Sequence, residues 1–209
     1  VRRLIKLTLH AAATAAVSPW LLAYWVVSLV LGPNRALEGS SQALACLPGV
    51  PGVYLRRAFL GRVLKRCAVS CEVHFGTLFS QAGAEIGANA YVGPRCQLGL
   101  VTLGDDVLLA AGVHVPSGGK THYFDDPDTP IRAQGGERTR VTIGAGAWVG
   151  NNAIVLADVG AGTVVGAGSV VTKPLPANVV AAGVPARVIR PRFPEPPGSD
   201  DAREPADRP

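Results

Sequence analysis

The sequence predicts a mainly β fold: a parallel β-helix preceded by an apolar helical segment that attaches to a membrane. Three observations carry this. A six-residue period runs from residue 86 onward. Aromatic residues are only 6% of the 209-residue chain, while glycine supplies 25 positions, so the core is built from small and aliphatic side chains. And no Asp, Glu, Lys or Arg occurs between Leu7 and Asn34.

The N-terminal stretch comes first in the chain. Its densest part is WLLAYWVVSLVL, Trp20 to Leu31. A membrane helix needs about 20 apolar residues, and this stretch is long enough. Arg2, Arg3 and Lys6 precede it; Gly32, Pro33 and Arg35 end it. A cleaved signal peptide calls for a shorter apolar core and a clear cleavage site. A single span and a hairpin broken at Pro19 both remain open. A buried soluble helix is the bland alternative. Membrane association through residues 7–34 is the expectation.

Residues 48–66, PGVPGVYLRRAFLGRVLKR, read as a turn and then an amphipathic helix. Leu55, Phe59 and Val63 recur every four residues, with Arg56, Arg62, Lys65 and Arg66 elsewhere on the wheel. Such a helix either lies on a membrane surface or caps the following domain.

The period then appears as IGANAY, VGPRCQ, LGDDVL, LAAGVH, IGAGAW, VGNNAI, VGAGTV and VGAGSV. Its rows are marked by Ile86, Val92, Leu98, Leu103, Leu109, Ile143, Val149, Val155, Val159, Val165 and Val171. A helix does not produce this spacing, and neither does two-residue alternation. A short strand followed by a tight turn does. Three such strands form a triangular coil, and coils stack in parallel at about 4.8 Å. Gly87, Gly93, Gly104, Gly144, Gly150 and Gly166 are expected at its corners, not in a phosphate loop, because no strand–GxGxxG–helix unit surrounds them.

Charge and cysteine exclude several functions. Residues 1–66 hold nine Lys/Arg against Glu38 alone, whereas residues 67–209 hold eleven against fourteen acids. The net charge of +5 is therefore an N-terminal property. It fits an anionic membrane surface and not nucleic acid. Cys46, Cys67, Cys71 and Cys96 show no zinc-ligand spacing and read as buried free thiols.

The stretch WVGNNAIVLADVGAGTVVGAGSVVTKPLPANVVAAGVPARVIR, residues 148–190, resembles the hexapeptide-repeat acyltransferases. The likeness is to the galactoside/maltose acetyltransferase type and the acetyltransferases of exopolysaccharide gene clusters. It covers about residues 73–192, and its most diagnostic part is AAGVPARVIR. It implies a left-handed parallel β-helix, a hand that breaks the usual crossover rule. It also implies acetyl-coenzyme A as donor, a homotrimer with sites between subunits, and no metal. The acceptor would be a hydroxyl of a sugar, a polysaccharide precursor or a glycolipid. An amino group of an amino sugar is the alternative acceptor, and a non-catalytic scaffold the alternative role.

The repeat is interrupted from Pro116 to Arg140, a polar insertion too long for a turn. By resemblance its His122 is the catalytic base. An alcohol is a poor nucleophile at neutral pH, and imidazole has a suitable pKa to take its proton. Asp125, Asp126, Asp128 or a backbone carbonyl would orient the ring. The resemblance places Trp148, Asn151 and Ala167 in the donor slot. It places Thr172, Lys173, Arg187 and Arg190 on the phosphate side, where cations suit a pyrophosphate. Gly93 stands where the galactoside enzymes carry an acceptor-contacting asparagine, so sugar specificity is not implied. The step from Val155 to Val159 is two residues short and predicts a tightened corner. A metal-dependent hydratase using His74, His114 and His122 is the rival enzyme class.

The expected organisation is a membrane-associated segment over 1–47 and a basic connector over 48–72. A β-helix acyltransferase domain follows over 73–190 with its loop at 116–140, then a disordered tail over 191–209. Because coenzyme A is intracellular, the domain is expected to face the cytoplasm of a bacterial-type cell.

Overall fold

The computed structural model describes residues 2–193, and side chains from residue 8. Three helices precede a parallel β-helix. Helix α1 spans Arg2–Leu31, α2 Pro33–Ala45 and α3 Gly49–Val63. The first coil holds β1 (Arg66–Cys67), β2 (Glu72–Val73) and β3 (Leu78–Phe79). The second holds β4 (Glu85–Ile86), β5 (Tyr91–Val92) and β6 (Gln97–Leu98). The third holds β7 (Val101–Leu103), β8 (Leu108–Leu109) and β9 (His114–Val115). After the inserted loop come β10 (Val141–Ile143), β11 (Trp148–Val149) and β12 (Ile154–Val155). The last turns hold β13 (Val164–Val165), β14 (Val170–Val171), β15 (Val179–Gly183) and β16 (Ala186–Pro191).

The strands sort into three faces. Face one is β1-β4-β7-β10, continued by the bridges Ile143–Val159 and Val159–Leu175. Face two runs from β2 through β5, β8, β11, β13 and β15 to β16. Face three is β3-β6-β9-β12-β14. Pairing is parallel throughout except β15–β16, the antiparallel hairpin made by AAGVPARVIR.

Every aliphatic row residue marked in the sequence, from Ile86 to Val171, is buried. A second inward position, two residues before it, is also buried: Ala84, Ala90, Cys96, Val107, Ala147 and Ala153. Most hexads thus fill the triangle with one large aliphatic and one smaller side chain, and the aromatic that does point inward, Phe79, sits in the first coil. Glycine after the aliphatic residue has a different cause from the one expected. Gly87, Gly93 and Gly150 do not take the left-handed conformation. They sit where the next coil passes close, and a Cβ on Gly150 would lie 2.5 Å from the Ala167 nitrogen. The left-handed corner positions fall two residues further on, to Asn89, Asp106, Asn152 and Asn178, which tolerate positive φ better than most residues, to Gly112, Gly146, Gly162 and Gly168, and to Arg95.

The first coil begins at Arg66, inside the stretch read as a connector. Its sequence lacks the glycine signal, and Val73, Phe79 and Cys71 fill its interior. Helices α2 and α3 close this end. Ser41 Oγ accepts from Phe79 N (2.9 Å), Asn34 Oδ1 from Ala82 N (2.9 Å), and Ala45 O from Gly76 N (2.9 Å). Exposed sheet-edge donors are thereby satisfied. Phe59, Leu60 and Val63 of α3 pack into the open triangle. The capping reading of α3 therefore holds, but Arg56 departs from it. Its side chain is buried, donating from Nε to Val73 O (2.9 Å) and from Nη1 to Leu44 O (3.0 Å) and Leu47 O (2.7 Å). It ties the end of α2 to the first coil.

Helix α1 passes through Pro19 unbroken, so no hairpin forms there. Proline removes the donor that would reach the Ala15 carbonyl. The Ser18 hydroxyl replaces it at 2.7 Å. The chain reverses instead at Gly32, whose φ is +82°. One stripe of α1, with Ala13, Val17 and Tyr24, is buried against the other helices, and Tyr24 meets Phe59 edge-on at 5.8 Å between ring centroids. The rest of its surface is apolar and exposed, including Leu22 (68%), Leu29 (88%) and Val30 (79%).

Two cysteines match expectation and two do not. Cys71 and Cys96 are buried, and burial pushes the Cys96 thiol up to about 11. Cys67 is half-buried, its thiol pushed up by a hydrogen bond with Cys71 (Sγ–Sγ 3.4 Å) and by burial. Cys46 is exposed because it forms the C-cap of α2. The tail call falls largely outside the described residues, although β16 still includes Pro191.

Arg56→Ala strips three carbonyls of their donor and should cost about 3 kcal/mol of unfolding free energy. Denaturant melts of the purified protein should show this against Arg35→Ala, an exposed position. A loss below about 1 kcal/mol would contradict the role assigned to Arg56.

Candidate active site

The coil geometry decides where side chains meet. Outward residues in register on one face form columns about 4.8 Å apart. Corner residues of successive coils stack likewise. Function-bearing positions therefore belong to a particular face or corner.

The loop leaves between β9 and β10, at the corner joining face three to face one. Its two legs pair: Thr139 N donates to Ser117 O (2.9 Å), Glu137 N to Lys120 O (2.8 Å) and Tyr123 N to Gly135 O (3.1 Å). The tip is tied by Gln134, whose Nε2 donates to Asp126 O (2.8 Å) and Thr129 O (2.7 Å). Arg140 anchors the returning leg to face one through Gly83 O (2.8 Å) and Thr102 Oγ1 (3.0 Å), beside Glu85 (3.4 Å). Glu85 is held below the usual carboxylate range, first by its hydrogen bond with Lys65 and then by the charges of Lys65 and Arg140.

His122 sits on the paired stem with its ring exposed. Among the described residues, no hydrogen bond joins it to Asp125, Asp126 or Asp128. Asp126 instead accepts from the Asp128 amide (2.9 Å), and its carboxyl is held below the usual range first by the Thr129 hydroxyl and then by that amide. Of the three candidate carboxylates, Asp126 is thus engaged within the loop.

Thr172 shares the His122 corner. It lines a cavity of about 690 Å³ with Gly119, Lys120, Glu137, Leu156 and Asp158 at the foot of the loop. Lys173 follows, exposed. The short corner predicted from Val155 to Val159 is present, and Asp158 closes it by accepting from Thr142 N (2.7 Å). Val171 to Leu175 repeats it.

Trp148, Asn151 and Ala167 are elsewhere. Trp148 projects from face two and is 50% exposed. Asn151 and Ala167 occupy successive corners between faces two and three, and Asn151 Oδ1 accepts from Ala111 N (3.2 Å). Arg187 and Arg190 lie on β16, at the C-terminal end of face two. The full width of face three, about five residues or roughly 15 Å, separates the His122 corner from the Asn151 corner. Within one chain the two groups of candidate residues therefore stay apart.

The residues that the resemblance assigns to the donor suit a phosphate ligand. Among the described residues, Lys173, Arg187 and Arg190 have no acidic partner. Ala167 leaves its corner unobstructed. The three histidines of the hydratase reading are dispersed. His74 pairs with Glu72 (3.3 Å) and lies against Tyr91, while His114 is on face three. Among the described residues, no cluster of three His, Cys, Asp or Glu is placed to hold a metal ion. A side chain at Gly93 would meet the Ala110 carbonyl carbon at 2.7 Å, so the missing asparagine reflects how tightly the second and third coils stack.

Sequence reasoning missed Arg140, Gln134 and Asp158. Each acts through a backbone partner that only the folded chain supplies.

No family model matches the chain. It is 42% identical over 93 residues to the galactoside O-acetyltransferase of Escherichia coli (strain K12), covering 43% of each chain. It is 39% identical over 97 residues to a putative lipopolysaccharide biosynthesis O-acetyl transferase of the same strain, covering 43% of this chain and 50% of the relative. The matches thus span half or less of these curated relatives. A solved galactoside acetyltransferase in complex with coenzyme A superposes with a TM-score of 0.60 at 26% identity, covering 78% of this chain and 84% of that one. The fold is accordingly the left-handed parallel β-helix of such acetyltransferases.

Proposed function

We propose that this protein is an acetyltransferase that moves an acetyl group from acetyl-coenzyme A to a hydroxyl of a carbohydrate or glycolipid. The observation that carries the reading is the 42% identity to a galactoside O-acetyltransferase, on a chain that folds as such enzymes do. His122 is the general base. It takes the proton of the acceptor hydroxyl as that oxygen attacks the thioester carbonyl. The new C–O bond forms, the C–S bond breaks, and the imidazolium returns the proton to the departing thiolate. Backbone amides at a corner would hold the oxyanion.

The separated half-sites support a homotrimer. In a closed symmetric assembly, the His122 corner of one copy meets the Trp148–Asn151–Ala167 corner of the next, with Lys173, Arg187 and Arg190 toward the phosphates. A slot between copies needs no residue to cross face three.

The exposed apolar flank of α1 supports membrane attachment. Thr8–Leu31 is long and apolar enough to cross a bilayer. Yet both ends of this stretch meet the domain: His10 faces the first coil across a cavity, and Asn34, just past the turn, bonds to Gln81 and Ala82. A perpendicular helix would drag exposed Arg35, Glu38 and Gln42 into hydrocarbon. We therefore read α1 as lying in the membrane plane, with the β-helix on the cytoplasmic side where coenzyme A is found.

Calorimetric titration with acetyl-coenzyme A should show wild type and His122→Ala binding alike, while Lys173→Ala with Arg187→Ala weakens binding at least about tenfold. Turnover of His122→Ala should fall about a hundredfold or more. Failure of wild type to bind the donor would remove the reading. In cell fractionation, Leu29→Lys with Val30→Lys should release the protein from membranes. Unchanged membrane retention would argue against α1 as the anchor.

A further inference from the structure

A cavity of about 920 Å³ opens where α1, α3 and the first two coils meet. That is the size of a small-molecule pocket. It is distinct from both half-sites described above. Tyr91 lines it, and Tyr91 is in register with Leu108 and then Trp148 on face two. Two steps of about 4.8 Å put the cavity roughly 10 Å from the proposed transfer site.

Its chemistry is that of an anion site with an apolar mouth. The Arg57 guanidinium lies over the Tyr54 ring, 4.6 Å from its centroid. Among the described residues its one protein hydrogen bond is long, Nη1 to Cys71 O at 3.5 Å, and its Nε is buried with no partner. Across the cavity, His10 Nδ1 is also buried without a partner. A half-buried guanidinium whose buried Nε has no partner is a costly arrangement unless a ligand completes it. The single carboxylate present, Glu72, is engaged by His74 at 3.3 Å. Val50 and Val69 form the rim, 68% and 71% exposed. His10 belongs to the start of the apolar stretch of α1, so an in-plane α1 sets this mouth at headgroup depth.

Arginine with an open fork suits phosphate, and an apolar rim beside a membrane helix suits a ligand with a lipid tail. We propose that this cavity binds the phosphate headgroup of a lipid, with Arg57 as its anion contact and the chains leaving over Val50 and Val69 along α1. This deepens the proposed function, and rests on it, in one respect: the acceptor class becomes a phosphate-linked glycolipid, whose sugar extends along face two toward Trp148.

The test uses the full chain and phosphatidylcholine vesicles with or without phosphatidic acid, read by co-sedimentation. Wild type should bind the phosphatidic acid vesicles more tightly. Arg57→Ala should weaken that preference about tenfold, and Glu72→Gln, which removes the one opposing charge, should strengthen it about threefold. Arg62→Ala, on the same helix but outside the cavity, should bind as wild type does. Because Glu72 is exposed, its variant tests the site even if Arg57→Ala fails to fold. If Arg57→Ala and Glu72→Gln both match wild type, the attraction is general surface charge and the proposal is overturned. If inorganic phosphate raises the melting temperature of wild type but not of Arg57→Ala, while wild type binds both kinds of vesicle alike, the cavity takes free phosphate and the lipid assignment fails. Acetyl-coenzyme A titration of the same preparations separates the two readings. Donor binding without vesicle selectivity removes only the lipid site. Vesicle selectivity without donor binding removes the transfer reading and leaves the site standing.

Discussion

Everything in this protein depends on coils stacking in register at strand-pairing distance. The constraint is strict because the chain wraps a triangle only two side chains deep. Each hexad must place one aliphatic residue and one small residue inward, as Val149 and Ala147 do, and must keep its backbone clear of the coil above. Gly150 shows how little room remains. Outward side chains are fixed into columns by the same register, so specificity has to come from what the repeat does not control. Those places are the corners, the single insertion at 116–140 and the two ends.

The two ends are solved differently. At the C-terminal end, β16 folds back on β15 and finishes face two with an antiparallel strand. At the N-terminal end, an open triangle is plugged by Phe59 and Leu60, and its edge donors are met by Ser41, Asn34 and the Ala45 carbonyl. Helix α1 then lies across the plug. The apolar surface it leaves exposed is what links the solenoid to a membrane in our proposal, and the cavity beneath it adjoins the same surface.

The periodic part of the fold was legible in the sequence because a period of six with aliphatic anchors has one simple structural solution. The loop was legible as a break in that period. What stayed hidden depends on pairs far apart in sequence. Arg56 reads as one more cation on a helix wheel, and only the meeting of α2 with the first coil turns it into a buried donor. Pro19 reads as a helix breaker, and a local hydroxyl bond overrides that. The start of the first coil, Arg66 to Glu72, reads as connector because Cys67, Val73 and Phe79 lack the glycine that follows later rows. Of the candidate site, the sequence names the candidate residues, but their division between two corners appears only in the fold. Consecutive hexads look alike in sequence, and only the count of strands around the triangle assigns Asn151 to one corner and Thr172 to another.

That division is the core of the function we propose, in which a proton acceptor on one corner and a donor slot on another work only against a copy of the same chain. Co-assembly of two inactive variants tests this most directly. One variant carries His122→Ala; the other carries Ala167→Trp, which blocks the slot corner. Mixed, refolded together and assayed for acetyl transfer, they should recover about a quarter of wild-type activity, because random assembly pairs an intact base with an intact slot at that frequency. No recovery, from variants shown to assemble together, would mean that each chain completes its own site and would contradict the account.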